Sequence, residues 1–344
     1  MKVMVVFNII KKINHIKENH RFLKAEEIKP KDDSSHISSH IVNIEWWYFD
    51  AIFNNDYSVH IGFRTYNINK WGIVQSRINI YKSGKIISEE LKIDFFSKFF
   101  VNSDFPTIKI NDNTVVYFDE ENYEKKKVWQ YRIKLSIKNT IVNLLFIGTT
   151  EGWKIETTDT CWTVPLPKAK VSGEILINGE KIDVEGIGYH DHNWGYSITT
   201  AMNNLGWYWG RISTETMSVT WAKIYQNFSN YDIIAVINKD NNKFYNVSPK
   251  KIEIIAEENI GNKRNFSPNI YELKIKDETT NNLKIYCDIR MNKIKTQYNR
   301  IFTIKYWRYH VLTNGNITLG NFSENLINKP QIIELLKFKS KEIV

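Results

Sequence analysis

Apolar and polar residues alternate with a period of two along most of this chain. The pattern is clear in residues 59–64 and 129–137, and it returns in residues 217–225 and 283–291. Successive side chains of a strand point to opposite faces, so such alternation predicts antiparallel strands with one buried face. The sequence therefore predicts an all-β protein.

Turn residues divide the alternating segments and suggest where the strand pattern ends. Asn178-Gly179 predicts a tight hairpin, because both residues tolerate the positive φ of a type I′ turn. Asn314-Gly315 predicts a second hairpin after a strand over residues 302–312. Residues 331–341 have helical character and predict a short helical tail. Residues 1–40 are polar, lack a strand pattern and predict a tail or linker.

Two aromatic segments suggest an internal repeat. Residues 45–49 and residues 206–210 are both rich in Trp and Tyr, and each precedes an alternating strand at nearly the same distance. Two tandem antiparallel domains with a boundary near residue 200 would explain this, and closing each into a barrel would remove exposed sheet edges. Coincidence in an aromatic-rich chain is the alternative.

The composition narrows the classes of partner. Aromatic residues make up 14% of the chain, which agrees with strands. The net charge of +9 would suit a polyanion, but the lysines are spread along the chain instead of forming an arm or stripe. We therefore expect no nucleic-acid partner and no stable membrane insertion. Peripheral contact with a membrane and the oligomeric state stay open.

The cysteines and the N-terminus bear on the compartment. Cys161 and Cys287 lie far apart in strand-like segments, which predicts two small buried residues rather than a disulfide framework. The short apolar run after Met1 is interrupted by Asn8 and lacks a small-residue cleavage site. No segment approaches the ~20 apolar residues of a membrane span. We expect a cytoplasmic protein.

The densest group of chemically active residues is the sequence Gly-Tyr-His-Asp-His-Asn-Trp-Gly at residues 188–195. In an extended segment, His190, His192 and Trp194 share one face, and Asp191 and Asn193 share the other. Buried polar groups need partners, so such a cluster rarely serves packing alone.

Three interpretations of this segment stay open. His190 and His192 could bind one metal ion from the same face, with His60 or Glu45 as a candidate third ligand. Asp191 against aromatic surface would keep its proton and could act as a general acid. The third interpretation is a purely structural network of hydrogen bonds.

The sequence Glu-Trp-Trp-Tyr-Phe-Asp at residues 45–50 is a second candidate site. Alternation places Trp46, Tyr48 and Asp50 on one face of a strand and the remaining residues on the other. An aromatic strand is usually core, but an aromatic cavity with a few polar groups also suits an apolar ligand. We expect core with partial cavity lining.

Four motifs in this order resemble a known superfamily: residues 45–50, Trp-Thr-Val-Pro at 162–165, residues 186–195, and Trp207-x-Trp209-Gly210-Arg211. The chain is similar, over roughly residues 40–325, to the hydroxyneurosporene synthase (carotenoid 1,2-hydratase) and secreted-hydrolase-like superfamily, which also includes fungal Diels–Alderases that form decalin rings. The resemblance implies two tandem lipocalin-like β-barrels, over residues 41–203 and 204–328, between tails at 1–40 and 329–344.

The resemblance also implies an activity. Known reactions of the superfamily are the addition of water to an isolated alkene and the cyclisation of a polyene, without a redox cofactor. We therefore expect a cofactor-independent enzyme, without a bound metal, that acts on an apolar unsaturated isoprenoid or polyene in an aromatic-lined pocket. The alternatives are a lipocalin-like lipid carrier without turnover and, less favoured, a metal-dependent hydrolase that uses His190 and His192.

The candidate residues fall into two sets. The candidate catalytic residues are Asp191, His192, Trp194 and His190. The candidate substrate-binding residues are Trp46, Tyr48, Glu45, Trp207, Trp209 and Tyr189.

Overall fold

The computed structural model describes residues 23–338, with gaps at 37–40, 158–159, 198–205, 226–230, 241–242, 258–269, 281–282 and 302–303. The described chain forms two antiparallel sheets that curl into barrel or half-barrel shapes. The prediction of an all-β protein with two tandem lipocalin-like units is confirmed.

The first sheet contains thirteen strands. They are β1 (Glu26–Glu27), β2 (Asn43–Phe53), β3 (Tyr57–Ile68), β4 (Trp71–Lys82), β5 (Lys85–Phe95), β6 (Phe99–Val101), β7 (Ile108–Ile110), β8 (Asn113–Phe118), β9 (Gln130–Ile137), β10 (Thr140–Gly148), β11 (Trp153–Glu156), β12 (Cys161–Ile177) and β13 (Glu180–Tyr196). One helix, α1 (Glu120–Lys126), and two 3-10 turns (Pro30–Asp33 and Phe96–Lys98) accompany them.

The second sheet contains nine strands. They are β14 (Gly206–Ser213), β15 (Met217–Tyr225), β16 (Tyr231–Lys239), β17 (Tyr245–Asn246), β18 (Ile252–Glu257), β19 (Ile270–Thr280), β20 (Leu283–Ile301), β21 (Ile304–Leu319) and β22 (Phe322–Lys337), with a 3-10 turn at Pro249–Lys251. Within the described ranges, no helix is long and apolar enough to cross a bilayer.

The strand order shows an internal repeat. The first sheet runs β5-β4-β3-β2-β13-β12-β10-β9-β8, followed by β7 and β6, while β11 pairs with β1 and β12. The second runs β17-β16-β15-β14-β22-β21-β20-β19-β18. Its nine strands repeat the first nine in order, so β14 takes the place of β2 and β22 that of β13. The aromatic segments that suggested the repeat therefore lie on equivalent strands.

Three apolar clusters hold the molecule together. One lies inside the first sheet, around Phe49, Phe63 and Phe146, and a second lies inside the second sheet, around Trp221 and Tyr309. The third lies between the sheets, and its members include Tyr48, Trp162, Tyr189, Trp209 and Ile332. Strands β2 and β13 contribute to the first and third clusters, so they are buried on both faces.

Two local predictions agree with the structure: the Asn178-Gly179 hairpin and the burial of both cysteines. Asn178 (φ 52°) and Gly179 (φ 87°) form the predicted hairpin between β12 and β13. Both cysteines are buried in strands and unbonded, as predicted.

The second predicted hairpin is wrong. Asn314 and Gly315 lie inside β21, and the chain turns instead at Gly320, after Leu319 pairs with Phe322. Gly315 sits at an irregularity in the pairing of β21 with β22, with φ 145°. A Cβ atom there would lie 1.9 Å from the Asp288 carbonyl oxygen, so this glycine serves close approach between strands, not a turn.

The predicted helical tail is also wrong. Residues 331–337 belong to β22, which pairs with β14 on one side and β21 on the other, and the chain beyond residue 338 lies outside the described residues. All seven of these residues are buried. A strand covered on both faces shows no alternation, and its apolar run resembles that of a helix.

The N-terminal segment is not a plain linker. Residues 25–36 pack against the first sheet: β1 pairs with β11, and the 3-10 turn buries Asp33 completely. The predicted tail also includes residues 1–22 and 37–40, which lie outside the described ranges.

We predict that Gly188→Ala destabilises the first sheet. A Cβ at Gly188 would lie 2.5 Å from Val171 Cγ2 and 2.9 Å from the Asp50 carbonyl oxygen, in a fully packed strand. Overpacking of this kind costs about 1–3 kcal/mol, to be measured as the free energy of unfolding in urea. Gly62→Ala is the matched control, because the nearest atom to its Cβ would be His60 Nε2 at 3.4 Å. Equal unfolding free energies for the two variants would contradict the prediction.

Candidate functional site

Strand β13 runs between β2 and β12 and brings the polar segment into the centre of the first sheet. His190 stacks on Phe49 with ring centroids 3.8 Å apart, and His192 stacks on Trp47 at 4.3 Å. Asp191 points to the other face, where it accepts a hydrogen bond from Trp162 Nε1. The two faces are divided as the alternation predicts, and they form two chemically different environments.

The histidine face is organised around Asp33. Asp33 Oδ2 lies 2.9 Å from His190 Nε2 and accepts a hydrogen bond of 2.7 Å from the Tyr131 hydroxyl. His190 Nδ1 lies 2.9 Å from the Tyr48 carbonyl oxygen. Both nitrogens of the ring therefore face an acceptor oxygen. Neither nitrogen is free to bind a metal.

His192 takes part in a second group on the same face. Its Nε2 lies 2.9 Å from Glu45 Oε1, and the same oxygen accepts a hydrogen bond of 3.0 Å from the His36 backbone N–H. The His36 ring stacks on Trp194 with centroids 4.2 Å apart. Burial alone would raise the pKa of Glu45, but the hydrogen bonds from His192 and His36 outweigh it and lower that pKa. Burial lowers the pKa of His192, so a neutral imidazole donates its Nε2–H to an ionised Glu45.

Asp191 on the opposite face has only neutral hydrogen-bond donors around it. Tyr189 OH donates to Oδ2 at 2.9 Å, Trp162 Nε1 donates to the same oxygen at 3.1 Å, and Asn193 Nδ2 donates to Oδ1 at 3.0 Å. Burial raises the pKa of Asp191 to about 7, against the lowering effect of the Tyr189 and Trp162 hydrogen bonds. This carboxyl group can therefore hold a proton near neutral pH.

An irregularity in β12 lies opposite this aspartate. The pairing of β12 with β13 shifts register between Thr163 and Leu166, and again before Ala169. Pro165 and Pro167 fall in these shifts, because proline cannot donate to a sheet ladder. The bulges let a central strand contain two prolines and break the regular pairing beside Asp191.

The second sheet covers the face of β13 that bears Asp191 with aromatic rings. Trp207 lies nearly parallel to Trp46, with centroids 6.5 Å apart, and Trp209 packs edge-on against Tyr48 at 5.6 Å. Trp209 also contacts Tyr189 at 5.2 Å. Trp46 and Trp207 are half-buried, whereas Tyr48, Trp209 and Tyr189 are buried. The aromatic contact is thus open to solvent near Trp46 and closed near Tyr189.

A cluster of buried charges lies beside these rings. Arg211 Nε donates to Asp50 Oδ1 at 2.8 Å, and Arg308 Nη1 donates to both Glu334 Oε1 and the Tyr48 hydroxyl at 2.5 Å. Tyr48 in turn donates to Asp50 Oδ2 at 2.7 Å. Two carboxyl groups and two guanidinium groups from the two sheets thus meet in a space that excludes water. Removing one of them would leave a buried charge without its counterion, which is strongly destabilising.

The structure separates the predicted site residues into two groups. Asp191, Trp46, Tyr48, Trp207, Trp209 and Tyr189 lie between the sheets, whereas His190, His192, Trp194 and Glu45 lie on the histidine face. Glu45 therefore does not line the same surface as Trp46 and Tyr48. In the alternative that has His190 and His192 bind one metal ion, His190 would have to give up its contact with Asp33 or with the Tyr48 carbonyl oxygen.

Sequence reasoning missed five residues that complete these groups. They are Asp33, His36, Tyr131, Arg308 and Glu334. Asp33 and His36 were assigned to a linker, and the other three lie in strands whose pattern gives no sign of a polar contact. Arg211 and Asp50 were each visible in an aromatic motif, but the ion pair between them was not predicted.

Comparison with known proteins shows that the fold is shared with solved structures, at low sequence identity. No protein-family model matches the chain, and no curated protein sequence matches it. A solved structure assigned as AttH (NE1406) from Nitrosomonas europaea is similar, with a TM-score of 0.62 and 13% identity over 91% of this chain and 97% of that one.

The structure of CghA is similar with a TM-score of 0.56 and 10% identity, over 94% of this chain and 98% of that one. CghA with Sch210972 gives 0.55 and 11% over the same shares. These proteins share the tandem lipocalin-like fold with this chain.

We predict that the pKa of Asp191 makes stability fall as pH rises. The folded state holds this proton up to about pH 7, whereas the unfolded chain releases it near 3.8. The stabilising contribution is therefore complete below pH 3.8 and is lost between there and about 7, by on the order of 4 kcal/mol at most. The difference in unfolding free energy between wild type and Asp191→Asn should decline over this range. If this free-energy difference does not change with pH, the raised pKa of Asp191 is refuted.

We also predict that Arg211→Met destabilises the contact between the sheets. The substitution leaves Asp50 buried without its closest cation, which costs about 3–5 kcal/mol of unfolding free energy. Arg77→Met is the matched control, because Arg77 pairs with Glu89 near the surface at 3.1 Å and its loss should cost about 0–1 kcal/mol. Similar midpoints of urea denaturation for both variants would refute the assignment.

Proposed function

We propose that this protein is an enzyme that acts on an apolar, unsaturated isoprenoid or polyene between its two sheets, with Asp191 as the general acid. The observation that supports it most directly is the geometry of Asp191, a carboxyl enclosed by aromatic rings whose three hydrogen-bond donors are all neutral. A carboxyl without a hydrogen-bonded cation can deliver a proton to a carbon–carbon double bond.

The reaction that fits this geometry best is hydration. The Asp191 O–H proton adds to the less substituted alkene carbon, and the tertiary cation forms on the other. Water then adds to the cation and returns a proton to the carboxylate, so the group is restored. The rings of Trp209, Tyr48 and Tyr189 pack against one another, and Tyr189 is bonded to Asp191. A cation held over the face of one of these rings would be stabilised by its quadrupole. No cofactor is needed for these steps.

The half-buried pair of Trp46 and Trp207 is the proposed entrance. Their rings are parallel within 10° and their centroids are 6.5 Å apart. A planar conjugated group in contact with both rings needs about 7 Å between the ring planes, so the indoles would have to move apart to admit one. Asp191 itself is 6% exposed, and substrate would reach it only after the rings move.

The motif resemblance supports the same substrate class. The superfamily that residues 45–50 and 186–195 resemble includes both alkene hydratases and polyene cyclases. The two activities differ in mass balance, because hydration adds one water and cyclisation adds nothing. A lipid carrier would leave its ligand unchanged.

We predict that incubation with geranylgeraniol in D₂O gives a product with one added water and one new carbon–deuterium bond, detected by mass spectrometry. Asp191→Asn should lower the turnover rate by about 10²–10⁴-fold while ligand still binds, because it removes the proton and keeps the shape. Asp183→Asn, on the exposed part of the same strand, is the matched control and should keep full activity.

Other outcomes would redirect the proposal. A rearranged product of unchanged mass from a linear polyene, without carbon–deuterium bond formation, would replace hydration by cyclisation. Binding without chemical change, equal in wild type and Asp191→Asn, would refute the enzyme and favour a carrier.

A further inference from the structure

We infer that His36, Glu45 and His192 form a binding site for a divalent transition-metal ion such as zinc. The three side chains come from the N-terminal segment, β2 and β13. Each can offer one ligand atom, and these atoms lie within 4.8 Å of one another. The site lies on the face of β13 opposite Asp191, so it is distinct from the proposed catalytic position.

The distances between the ligand atoms suit a small ion. His192 Nε2 lies 2.9 Å from Glu45 Oε1, and His36 Nδ1 lies 3.7 Å from the same oxygen. Ligands bonded to tetrahedral zinc at about 2.1 Å are separated by about 3.4 Å. Because the three atoms lie within 4.8 Å of one another, the widest pair has to close by at most about 1.4 Å to hold an ion. Two imidazoles and one carboxylate are also a ligand set that zinc accepts in proteins.

Two unsatisfied atoms next to the cluster support this inference independently. Within the described residues, His192 Nδ1 and Asp33 Oδ1 make no hydrogen bond, although both side chains are completely buried and the atoms are 3.5 Å apart. When His192 Nε2 holds the proton and donates to Glu45, Nδ1 carries a lone pair and faces a carboxylate oxygen. Two acceptors then oppose each other in a dry environment, which is unfavourable.

A metal ion on Nε2 resolves this conflict. The imidazole must then carry its proton on Nδ1, from which it can donate to Asp33 Oδ1. A carboxylate that orients a metal-bound histidine through its second nitrogen is the usual outer partner in such sites. Asp33 is already fixed for this role, because its other oxygen is held by His190 and Tyr131.

The site is accessible from one side. The His36 side chain is 20% exposed, whereas those of His192 and Glu45 are 0% and 3% exposed. Three protein ligands with one open side leave a fourth position for water or an anionic ligand. The stacking of Trp194 on the His36 ring limits the rotation of that ligand. The ion would thus fasten the N-terminal segment to the sheet.

The experiment uses the full-length protein without a histidine tag, freed of metal with EDTA and titrated with zinc chloride by calorimetry. We expect one zinc per chain, confirmed by elemental analysis of the dialysed complex. His36→Ala should weaken zinc binding by more than about 100-fold, beyond the effect of losing an outer partner. His310→Gln is the control, since His310 is buried against Ser58 elsewhere, and zinc affinity should be unchanged.

A second measurement shows which nitrogen of the His192 ring carries the proton. Nitrogen-15 chemical shifts of the His192 ring should show the Nε2–H tautomer without metal and the Nδ1–H tautomer with zinc. Glu45→Gln, checked for folding by thermal denaturation, should also weaken zinc binding. Zinc bound equally well by wild type and His36→Ala, no stoichiometric zinc, or an unchanged His192 tautomer would each overturn the inference. Asp191→Asn should leave zinc affinity unaltered, which separates this test from that of the proposed reaction.

Discussion

Four consecutive polar side chains, from His190 to Asn193, are buried in the centre of a sheet, and this constraint shapes the rest of the molecule. A buried polar group without a partner costs several kcal/mol, so every one of these residues must find a donor or acceptor across the strand or beyond it. His190 contacts the N-terminal segment and β2 through both ring nitrogens, and His192 contacts β2 through Nε2 alone. Asp191 is satisfied by its own strand and β12. The packing of residues 25–36 against the first sheet follows from this requirement.

The internal repeat makes the difference between the two halves informative. Asp191 lies opposite Tyr48 on β2, and Glu334 lies opposite Trp209 on the equivalent strand β14. The two acids therefore occupy corresponding positions and are both buried between the sheets. Glu334 is paired with Arg308, whereas Asp191 has only neutral hydrogen-bond donors. Glu334 also accepts a hydrogen bond from Tyr48 of the first sheet, whereas Asp191 has no hydrogen-bonded cation.

The sequence predicted what depends on local periodicity and failed where contacts are distant. Alternation identified β3, β9 and the two faces of β13, because one buried face leaves a period of two. It failed for β22, where burial on both faces removes the period. Asp33 could not be recognised as a partner of His190, because 157 positions separate them and a polar segment near a terminus resembles a linker. Arg308 gave no signal for the same reason, since its partners lie on β2 and β22.

The position of β13 has a consequence for how the chain is made. This strand pairs with β2, so the centre of the first sheet joins residues from the beginning and the end of the unit. During synthesis, strands β2 to β12 leave the ribosome before β13, the partner of β2, has been made. Until β13 emerges, Trp47 and Phe49 lack the histidine rings that stack on them, and the Glu45 carboxylate lacks its hydrogen bond with His192. Such late long-range closure slows folding and leaves nascent chains open to association, so this protein is a candidate client for chaperones that bind emerging β-rich chains.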